Sequence, residues 1–530
     1  MKKVELSLLL NAHLPFVRHP EYEHFLEENW LYEAISETYL PLLRVFHRLD
    51  DDNIKFSLTM SFSPTLVTML QDPVLQNRYV GHLKNQLDLA EKELERTADD
   101  PAFFPLAQMY HQLYTQNLND FQDMYQGFIL RGFNYFQKKG NLEILTTAAS
   151  HCFMPFYQDY PENARVQIQA AIDYHCSVFS RSPRGIWLPD CAYYPGLDYI
   201  LREFNMDYFF VAAHGVFLGD KLSGFGSYAP VNSPAGLAAF PRDLISTNQI
   251  WSETEGYPGD PVYRDFYRDI GFDLPLEYVG PYMHAWDGRV FTGFKYYRVT
   301  GKTDQKKVYD PEMAHKKVQE HAENYIYNRV KQAEKILSMG MDRTPLIVSP
   351  FDAELFGHWW FEGGAWLEAF FRKLVDYPEV SLSTPTDYLA RHPVQTQVSI
   401  PYSSWGTKGY GETWLDGSND WIYRHTHRLV ERMQELVGRF PNETGRRERA
   451  LNQAAREVLL SQASDWPLII KSGTTVEYAT KRIKEHISNF TRIYESLSSN
   501  ELDTEWLTSL ERRNNFMPQI DYRLFGKRGS

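Results

Sequence analysis

The chain repeats one pattern, a short continuous apolar run that ends in polar or aromatic residues, and stretches with helical spacing separate these runs. Apolar runs without alternation are typical of strands that are covered on both faces, as in a parallel sheet. Strands that alternate with helices predict an α/β fold, either a barrel or an open sheet. The six runs are residues 4–15, 54–64, 142–155, 185–195, 206–215 and 345–357.

The rest of the chain is dominated by helical patterns, which are clearest at 22–43, 162–179 and 311–337. A length of 530 residues fits two or three domains, or one large barrel with additions. Charge pairs three and four residues apart predict helices between the second and third runs, and beyond about residue 400 helical patterns follow one another without strands. We therefore expect a barrel over 1–395, a helical insertion at about 72–139, a small insertion at about 191–240 and a helical domain over 396–530.

Composition limits the class of partner. Aromatic residues make up 15% of the chain and offer flat faces that suit sugar rings or nucleobases. The net charge of −13, without a basic stripe, argues against nucleic acid, because binding phosphates requires lysine and arginine. No apolar stretch approaches 18 residues, so we expect no membrane span.

The expected location is the cytoplasm. Three cysteines are too few for a disulfide framework, and an odd number fits a reducing compartment. The apolar run at Val4–Leu10 is short and is soon followed by His13 and Pro15, which favours a buried first strand over a signal peptide.

Five polar residues follow apolar runs where strands would end. In parallel α/β folds, catalytic and ligand-binding residues lie at the carboxyl edge of the sheet. A single histidine there is more often structural, but five polar groups at one edge are harder to explain as core, since each needs a partner when buried. They are His13, His151, Asp190, His214 and Asp352.

Two of these residues are carboxylates in aromatic surroundings. Asp190 follows Trp187 in GIWLPDC, and Asp352 lies in SPFDAELFGHWWFEG. Asp352 has an alternative interpretation as an ordinary helix cap. An apolar wall raises the pKa of a carboxyl group and favours a general acid. A carboxyl pair in an aromatic cleft is what glycoside chemistry requires.

Seven segments carry a family resemblance, and they occur in order along nearly the whole chain. They are NAHLPFVRHPE (11–21), GNLEILTTAASH (140–151), GIWLPDCAY (185–193), the long segment 249–273, PFDAELFGHWWFEG (350–363), the segment 403–425 and REVLLSQASDWPLII (456–470). Through these segments the chain resembles glycoside hydrolase family 57, and within it the α-1,4-glucan branching enzymes and similar α-amylase-like proteins.

The resemblance implies a seven-stranded (β/α) barrel with a small inserted domain and a C-terminal all-helical domain. It also implies retaining double displacement on α-glucan without a metal or organic cofactor. We expect a monomer or small homo-oligomer. Asp352 matches the general acid/base, and Asp190 stands where the family carries its nucleophile. The positions that match sugar subsites are His13, His151, Arg242, Trp251, Trp405, Trp414 and Asp465.

The chain departs from the family at the nucleophile, which is normally glutamate. Aspartate is one methylene shorter, so its oxygens retreat by roughly 1.5 Å. Retaining enzymes place their carboxyls about 5–5.5 Å apart and inverting ones about 6.5–9.5 Å, and a misplacement near 1 Å can cost on the order of 100-fold in rate. Asp190 could be a working nucleophile through backbone shifts, could activate water for hydrolysis, or could leave a protein that binds glucan with weak catalysis.

A second departure is the short, glycine-rich segment 215–240. In the family a longer loop here helps to hold the acceptor chain, so a short one favours water as acceptor. The sequence therefore predicts a 1,4-α-glucan branching enzyme, with an α-amylase-like hydrolase and a weakly catalytic glucan-binding homologue as alternatives. A nucleotide or phosphosugar enzyme is disfavoured, since no glycine-rich phosphate loop follows a strand.

Overall fold

The first apolar run forms a nine-residue strand that is buried along its whole length and lies inside a largely parallel sheet. The computed structural model describes residues 3–252, 255–283, 288–341 and 343–526. Within these ranges the sheet has nine strands. They are β1 Val4–Ala12, β2 Leu58–Phe62, β3 Leu142–Thr146, β4 Gly185–Ile186, β5 Tyr208–Val211, β6 Val231–Asn232, β7 Ala238–Pro241, β8 Leu346–Asp352 and β9 Val380–Leu382.

Seven parallel strands form the body of the sheet, in the order β7-β5-β4-β3-β2-β1-β8. β6 extends it antiparallel to β7, and β9 pairs with the start of β1. The two ends of the path approach each other, because the backbone N–H of Asp243, just after β7, donates to the carbonyl of Val348 in β8 at 2.8 Å. This curled arrangement confirms the predicted seven-stranded (β/α) barrel.

Helices surround the sheet and make up the C-terminal part. Those up to residue 283 are α1 Asn29–Ala34, α2 Leu40–Asp51, α3 Pro64–Leu70, α4 Pro73–Arg96, α5 Phe104–Asn119, α6 Leu130–Lys139, α7 Pro161–Phe179, α8 Leu197–Glu203, α9 Ala213–Phe217, α10 Leu244–Trp251, α11 Ile270–Asp273 and α12 Leu276–Met283. Those after it are α13 Pro311–Ser338, α14 Gly363–Lys373, α15 Pro385–Arg391, α16 Trp421–Arg439, α17 Gly445–Ser461, α18 Asp465–Ser472, α19 Val476–Ser499 and α20 Thr504–Arg513.

All six apolar runs contain a strand, although the strands are shorter than the runs. β4 keeps only two residues of the run 185–195, because Pro189 cannot donate to a ladder and the two residues after it have positive φ. Gly185 starts β4 because the Tyr208 ring fills the place of a Cβ, with a ring carbon 2.2 Å from where that atom would lie. The short strands β6, β7 and β9 lie outside the six runs.

The parts of the chain outside the sheet differ in kind. α4, α5 and α6 occupy the range 72–139, and α16 to α20 form the C-terminal helical domain. The range 191–240, expected as a small insertion, instead supplies β5 and β7 to the parallel sheet. Among the described residues before 345, the longest stretch without strands runs from α10 to α13. In the described part of the chain, no helix has both the length and the apolar character needed to cross a membrane.

The helical domain is joined to the barrel by the segment that ends α17 and starts α18. Ala463 forms an isolated antiparallel bridge with Cys152, and the Ser464 N–H donates to the His151 carbonyl at 3.0 Å. Gln462 is hydrogen bonded to Gln167 of α7. The indole of the fully buried Trp466 is tied to the α17 backbone, so this connection is held rigidly from within the domain.

Candidate active site

Asp190 lies at the bottom of the site in a tight turn after β4. It is 6% exposed, and its φ of +60° is followed by a φ of +51° at Cys191. Two successive non-glycine residues in the left-handed region are uncommon and cost about 1–3 kcal/mol each, which is characteristic of functional sites. The Trp405 indole N–H lies 3.4 Å from Asp190 Oδ1, and the Trp405 backbone N–H donates to the Asp190 carbonyl at 3.0 Å.

Asp352 ends β8 and lies directly opposite Asn11 of β1 in the parallel register. The Ser61 hydroxyl donates to Asn11 Oδ1 at 2.8 Å, which leaves the Asn11 amide N–H to donate to the Asp352 carboxylate. Asp352 occupies the cap position of a short 3-10 turn but makes no capping hydrogen bond. The capping interpretation of this aspartate is therefore wrong, and its side chain is available to the site.

His13 connects the two carboxyls. It follows β1, and its charge stabilises the ionised forms of both Asp190 and Asp352. Its Nε2 lies 3.0 Å from Oδ1 of Asp465, which the helical domain supplies. Burial lowers the pKa of His13, but the Asp465 carboxylate outweighs burial, so the pKa is raised.

His151 lies face to face with His13 and differs from it in charge. Its φ is +57°, and its Nδ1 is 3.0 Å from the Ser464 hydroxyl. Burial, reinforced by the nearby charge of His13, holds the pKa of His151 well below its ordinary value. Its Nε2 has no hydrogen-bond partner among the described residues, so this neutral ring offers a free nitrogen.

Trp405 joins Asp190 to Arg242. The Arg242 guanidinium lies over the Trp405 ring, 5.6 Å from its centroid, and its Nε donates to Thr247 at 3.1 Å. Arg242 follows β7, and its charge counteracts the rise in the pKa of Asp352. One arginine therefore acts by its charge on Asp352 and packs on the indole that contacts Asp190.

The two carboxyl groups have different surroundings. Burial raises the pKa of Asp190 to about 7 and the charge of Asp465 raises it further, while the charge of His13 and the Trp405 indole oppose the rise. Burial also raises the pKa of Asp352, opposed by Asn11. Asp190 is enclosed, whereas Asp352 keeps part of its surface accessible.

The remaining residues from the predicted set are placed less centrally. Trp414 is 3% exposed and stacks on Phe153 at 4.9 Å, in a small cluster that Trp405 borders. Trp251 ends α10 with its side chain 48% exposed. His214 follows β5, and its Nε2 lies 2.9 Å from the Gly409 carbonyl. The network around the two carboxyls thus contains His13, His151, Arg242, Trp405 and Asp465, and does not include Trp251.

Sequence reasoning missed three residues of this network. Glu354 accepts hydrogen bonds from the Tyr39 hydroxyl and from the His13 backbone N–H. Asn11 contacts Asp352, and Ser464 contacts His151. A polar residue inside the apolar first run was a signal for Asn11. Ser464 gave no such signal, because a serine before a helix is ordinarily a cap.

Comparisons with known proteins identify the family of this chain. Residues 7–401 match the model of glycosyl hydrolase family 57, and residues 425–525 match the model of the C-terminal domain of 1,4-alpha-glucan branching enzymes. A 1,4-alpha-glucan branching enzyme of Thermococcus kodakarensis is 30% identical over 97% of this chain and 78% of its own length.

Two solved structures are similar over the whole chain. The alpha-amylase AmyC from Thermotoga maritima has a TM-score of 0.93 and 41% identity, and the match covers 100% of both chains. A family 57 branching enzyme from Pyrococcus horikoshii has a TM-score of 0.89 and 30% identity, covering 99% of this chain and 97% of that one. The chain therefore belongs to glycosyl hydrolase family 57, as its sequence motifs predicted.

Proposed function

We propose that this protein is a retaining 1,4-α-glucan branching enzyme. It cleaves an α-1,4 linkage and transfers the freed chain to a 6-hydroxyl of an acceptor glucan, which creates an α-1,6 branch. The observation that supports this most strongly is the pairing of Asp190 and Asp352 around His13 in a chain whose C-terminal part matches the branching-enzyme domain.

In this mechanism Asp190 is the nucleophile. Its carboxylate attacks the anomeric carbon and forms a glucosyl-enzyme ester, while Asp352 gives its proton to the departing 4-oxygen. Asp352 then takes the proton of the incoming 6-hydroxyl, and the ester to Asp190 is broken. Because the pKa of Asp190 is about 7, the reactive carboxylate increases as the pH rises through neutrality.

The remaining groups bind the sugar. The free Nε2 of His151 accepts a hydrogen bond from a sugar hydroxyl, and His13, held by Asp465, donates one. The Trp405 ring, with the Arg242 guanidinium over it, forms one wall of the site beside Asp190. Trp251, which is 48% exposed, is proposed to contact the glucan farther along the chain, whereas the predicted subsite role of Trp414 does not fit its burial against Phe153.

Amylose is the test substrate. Wild type, Asp190→Asn and Asp352→Asn are incubated with it, and both new α-1,6 linkages and new reducing ends are measured. Each substitution should lower total cleavage by at least about 100-fold, since it removes a nucleophile or a proton donor. Asp207→Asn, at a surface carboxylate paired with Arg184, is the matched control and should behave as wild type. Full activity in Asp352→Asn would overturn the proposal.

Hydrolysis by an α-amylase-like reaction is the second candidate, and two observations favour it. The 41% identity with the amylase AmyC exceeds the 30% identity with the branching enzymes of Pyrococcus horikoshii and Thermococcus kodakarensis. The second observation concerns the short segment 215–240, which is expected to favour water as the acceptor. This segment is bound to the barrel at residues 396–400, where Asp220 accepts from the Ser399 N–H at 2.7 Å. Reducing ends without new α-1,6 linkages would identify this activity.

A further inference from the structure

We propose that a patch of aromatic side chains near the two carboxyls is a second binding site for the α-glucan, which holds one part of a long chain while another part reacts. This inference rests on the proposed function, because that function supplies a polymeric α-glucan as substrate. We call this surface the aromatic patch, and it consists of Phe266, Tyr267, Phe272, Phe291 and Trp359. None of these residues is among the sugar-binding positions that the sequence predicted.

The rings of the aromatic patch contact one another and remain open to solvent. The Phe266 centroid lies 4.6 Å from that of Trp359 and 5.2 Å from that of Tyr267. The Phe291 centroid lies 5.7 Å from that of Phe266 and 5.5 Å from that of Phe272. Tyr267 is 77% exposed, Trp359 51% and Phe272 48%. A contiguous exposed apolar surface marks a binding site, whereas single exposed rings do not.

A buried cation holds two of these rings from the interior of the protein. The Lys295 ammonium lies 3.8 Å from the Phe291 ring centroid and 5.1 Å from that of Phe266. It is 3% exposed and pairs with the buried Asp269 carboxylate at 3.1 Å. Because a cation attracts the negative faces of aromatic rings, both rings are fixed before a ligand arrives. A preorganised surface of this kind loses little conformational entropy on binding.

The turn after β8 connects the aromatic patch to the cleavage site. Trp359 follows the proposed general acid, Asp352, by seven residues, so their Cα atoms lie no more than about 25 Å apart. Gly357 in this turn has a φ of +130°, and a Cβ there would lie 1.8 Å from the Glu37 carbonyl oxygen. His358 Nδ1 is 2.7 Å from Glu37 Oε2. The turn is therefore fixed against Glu37, and a glucan chain of several units that leaves Asp352 reaches the patch.

The chemistry of the aromatic patch suits a sugar chain better than a second copy of this protein. The C–H bonds on the face of a glucose ring pack on the negative face of an aromatic ring, and the hydroxyls at its edge need donors and acceptors. Arg268 and Asp273 supply both, since they pair at 2.8 Å and are 42% and 21% exposed. The core of a protein–protein interface is depleted of aspartate, whereas the segment FYRDIGFD (266–273) mixes aromatic with charged residues.

The test compares full-length wild type with the double variant Tyr267→Ala/Phe272→Ala. Binding of glycogen is measured by affinity electrophoresis with Asp190→Asn added to both proteins, so that the polymer is not cleaved. Removal of aromatic rings that contact a ligand should raise the Kd for glycogen by about 5-fold or more. In the active proteins the KM for amylose should rise by a similar factor. The kcat should stay within about 2-fold of wild type, because the patch binds ground state and transition state equally.

The matched control is Tyr327→Ala, which removes a ring that is 52% exposed on α13, outside the patch. It should bind glycogen and cleave amylose as wild type. Tyr267→Trp keeps a flat ring and should keep the wild-type Kd. An unchanged Kd in the double variant, or an equal loss of affinity in Tyr267→Trp, contradicts the inference.

Two further outcomes separate this inference from its alternatives. Sedimentation that shows a dimeric wild type and a monomeric double variant, with the same Kd for glycogen, would make the patch a contact between copies and refute the glucan site. If wild type forms no α-1,6 linkages, the proposed function fails. The Kd values for glycogen then still decide whether the aromatic patch binds glucan.

Discussion

The imidazole rings of His13 and His151 lie parallel, with centroids 3.6 Å apart and planes inclined by 7°. Two charged rings would repel each other at this distance, so the pair carries one charge. The pKa of His13 is raised and that of His151 is held well below its ordinary value, which places the charge on His13. The stack therefore combines a donor, held by Asp465, with a neutral acceptor, held by Ser464.

Replacement of Asp465 by asparagine should leave both His13 and His151 uncharged at neutral pH. Without the carboxylate, burial dominates and lowers the pKa of His13. Loss of a hydrogen bond to a charged group is worth about 1.5–3 kcal/mol, so kcat/KM on amylose should fall by about 10- to 100-fold. A variant with the wild-type kcat/KM would contradict this assignment.

The same pair predicts a pH dependence of stability. The folded-state pKa of His13 is raised above 6.5. The contribution of His13 to the free energy of unfolding is therefore complete below pH 6.5 and is lost as the pH rises through the higher folded-state pKa. The difference in Tm between wild type and Asp465→Asn should therefore be larger at pH 6 than at about pH 9. A difference that grows with pH would have the wrong sign.

Lengthening the nucleophile should reduce activity. Asp190 is enclosed and contacts Trp405, so the extra methylene of Asp190→Glu has to displace packed groups. Overpacking costs about 1–3 kcal/mol, and we expect cleavage of amylose to fall by about 10-fold or more. If Asp190→Glu is instead more active than wild type, the native aspartate is a damaged nucleophile and the protein is mainly a glucan binder.

Glu354 should act through an oxygen and not through its charge. Oε1 accepts from both the Tyr39 hydroxyl and the His13 N–H, and burial raises the pKa of Glu354 to about 7. Glu354→Gln keeps an acceptor oxygen and should stay within about 3-fold of wild-type activity. Glu354→Ala leaves two buried donors unpaired and should cost about 1–3 kcal/mol in unfolding free energy, measured by urea titration. Equal effects of the two substitutions would refute this explanation.

A buried pair in the helical domain should control stability without touching the site. Glu457 and His486 are both 0% exposed, and Nδ1 of the histidine is 2.7 Å from Glu457 Oε2. Burial opposes the charge on Glu457, but His486, Asn514 and Gln453 outweigh it and lower its pKa. Burial and Arg482 keep His486 neutral.

The depressed pKa fixes the direction of the effect. The stabilisation by Glu457 is present above pH 4.5 and is lost as the pH falls through the lower folded-state value. Glu457→Ala should lower the unfolding free energy at pH 7 by about 3–5 kcal/mol, because partners are left buried and unpaired. Glu495→Gln, at an exposed position of the same bundle, is the control and should change it little. An unchanged unfolding free energy in Glu457→Ala would argue against the pairing.

The longer strands could be predicted from the sequence. Both faces of a parallel sheet are covered, so β1 and β8 are continuous apolar runs. β6, β7 and β9 are two to four residues long, too short for a pattern. Asp190 and Asp352 could be found at strand ends, but whether a nearby tryptophan is core or surface depends on packing. Trp414 and Trp251 have similar flanks, and one is buried while the other is half exposed.

The contribution of Ser464 and Asp465 to the barrel's site has a consequence for biosynthesis. A chain emerging from the ribosome can fold its N-terminal unit first. At that stage it already contains Asp190 and Asp352, yet Asp465, which raises the pKa of His13, and Ser464, which contacts His151, have not been translated. We therefore expect glucan cleavage to begin only after α17 and α18 have been made and have docked on the barrel.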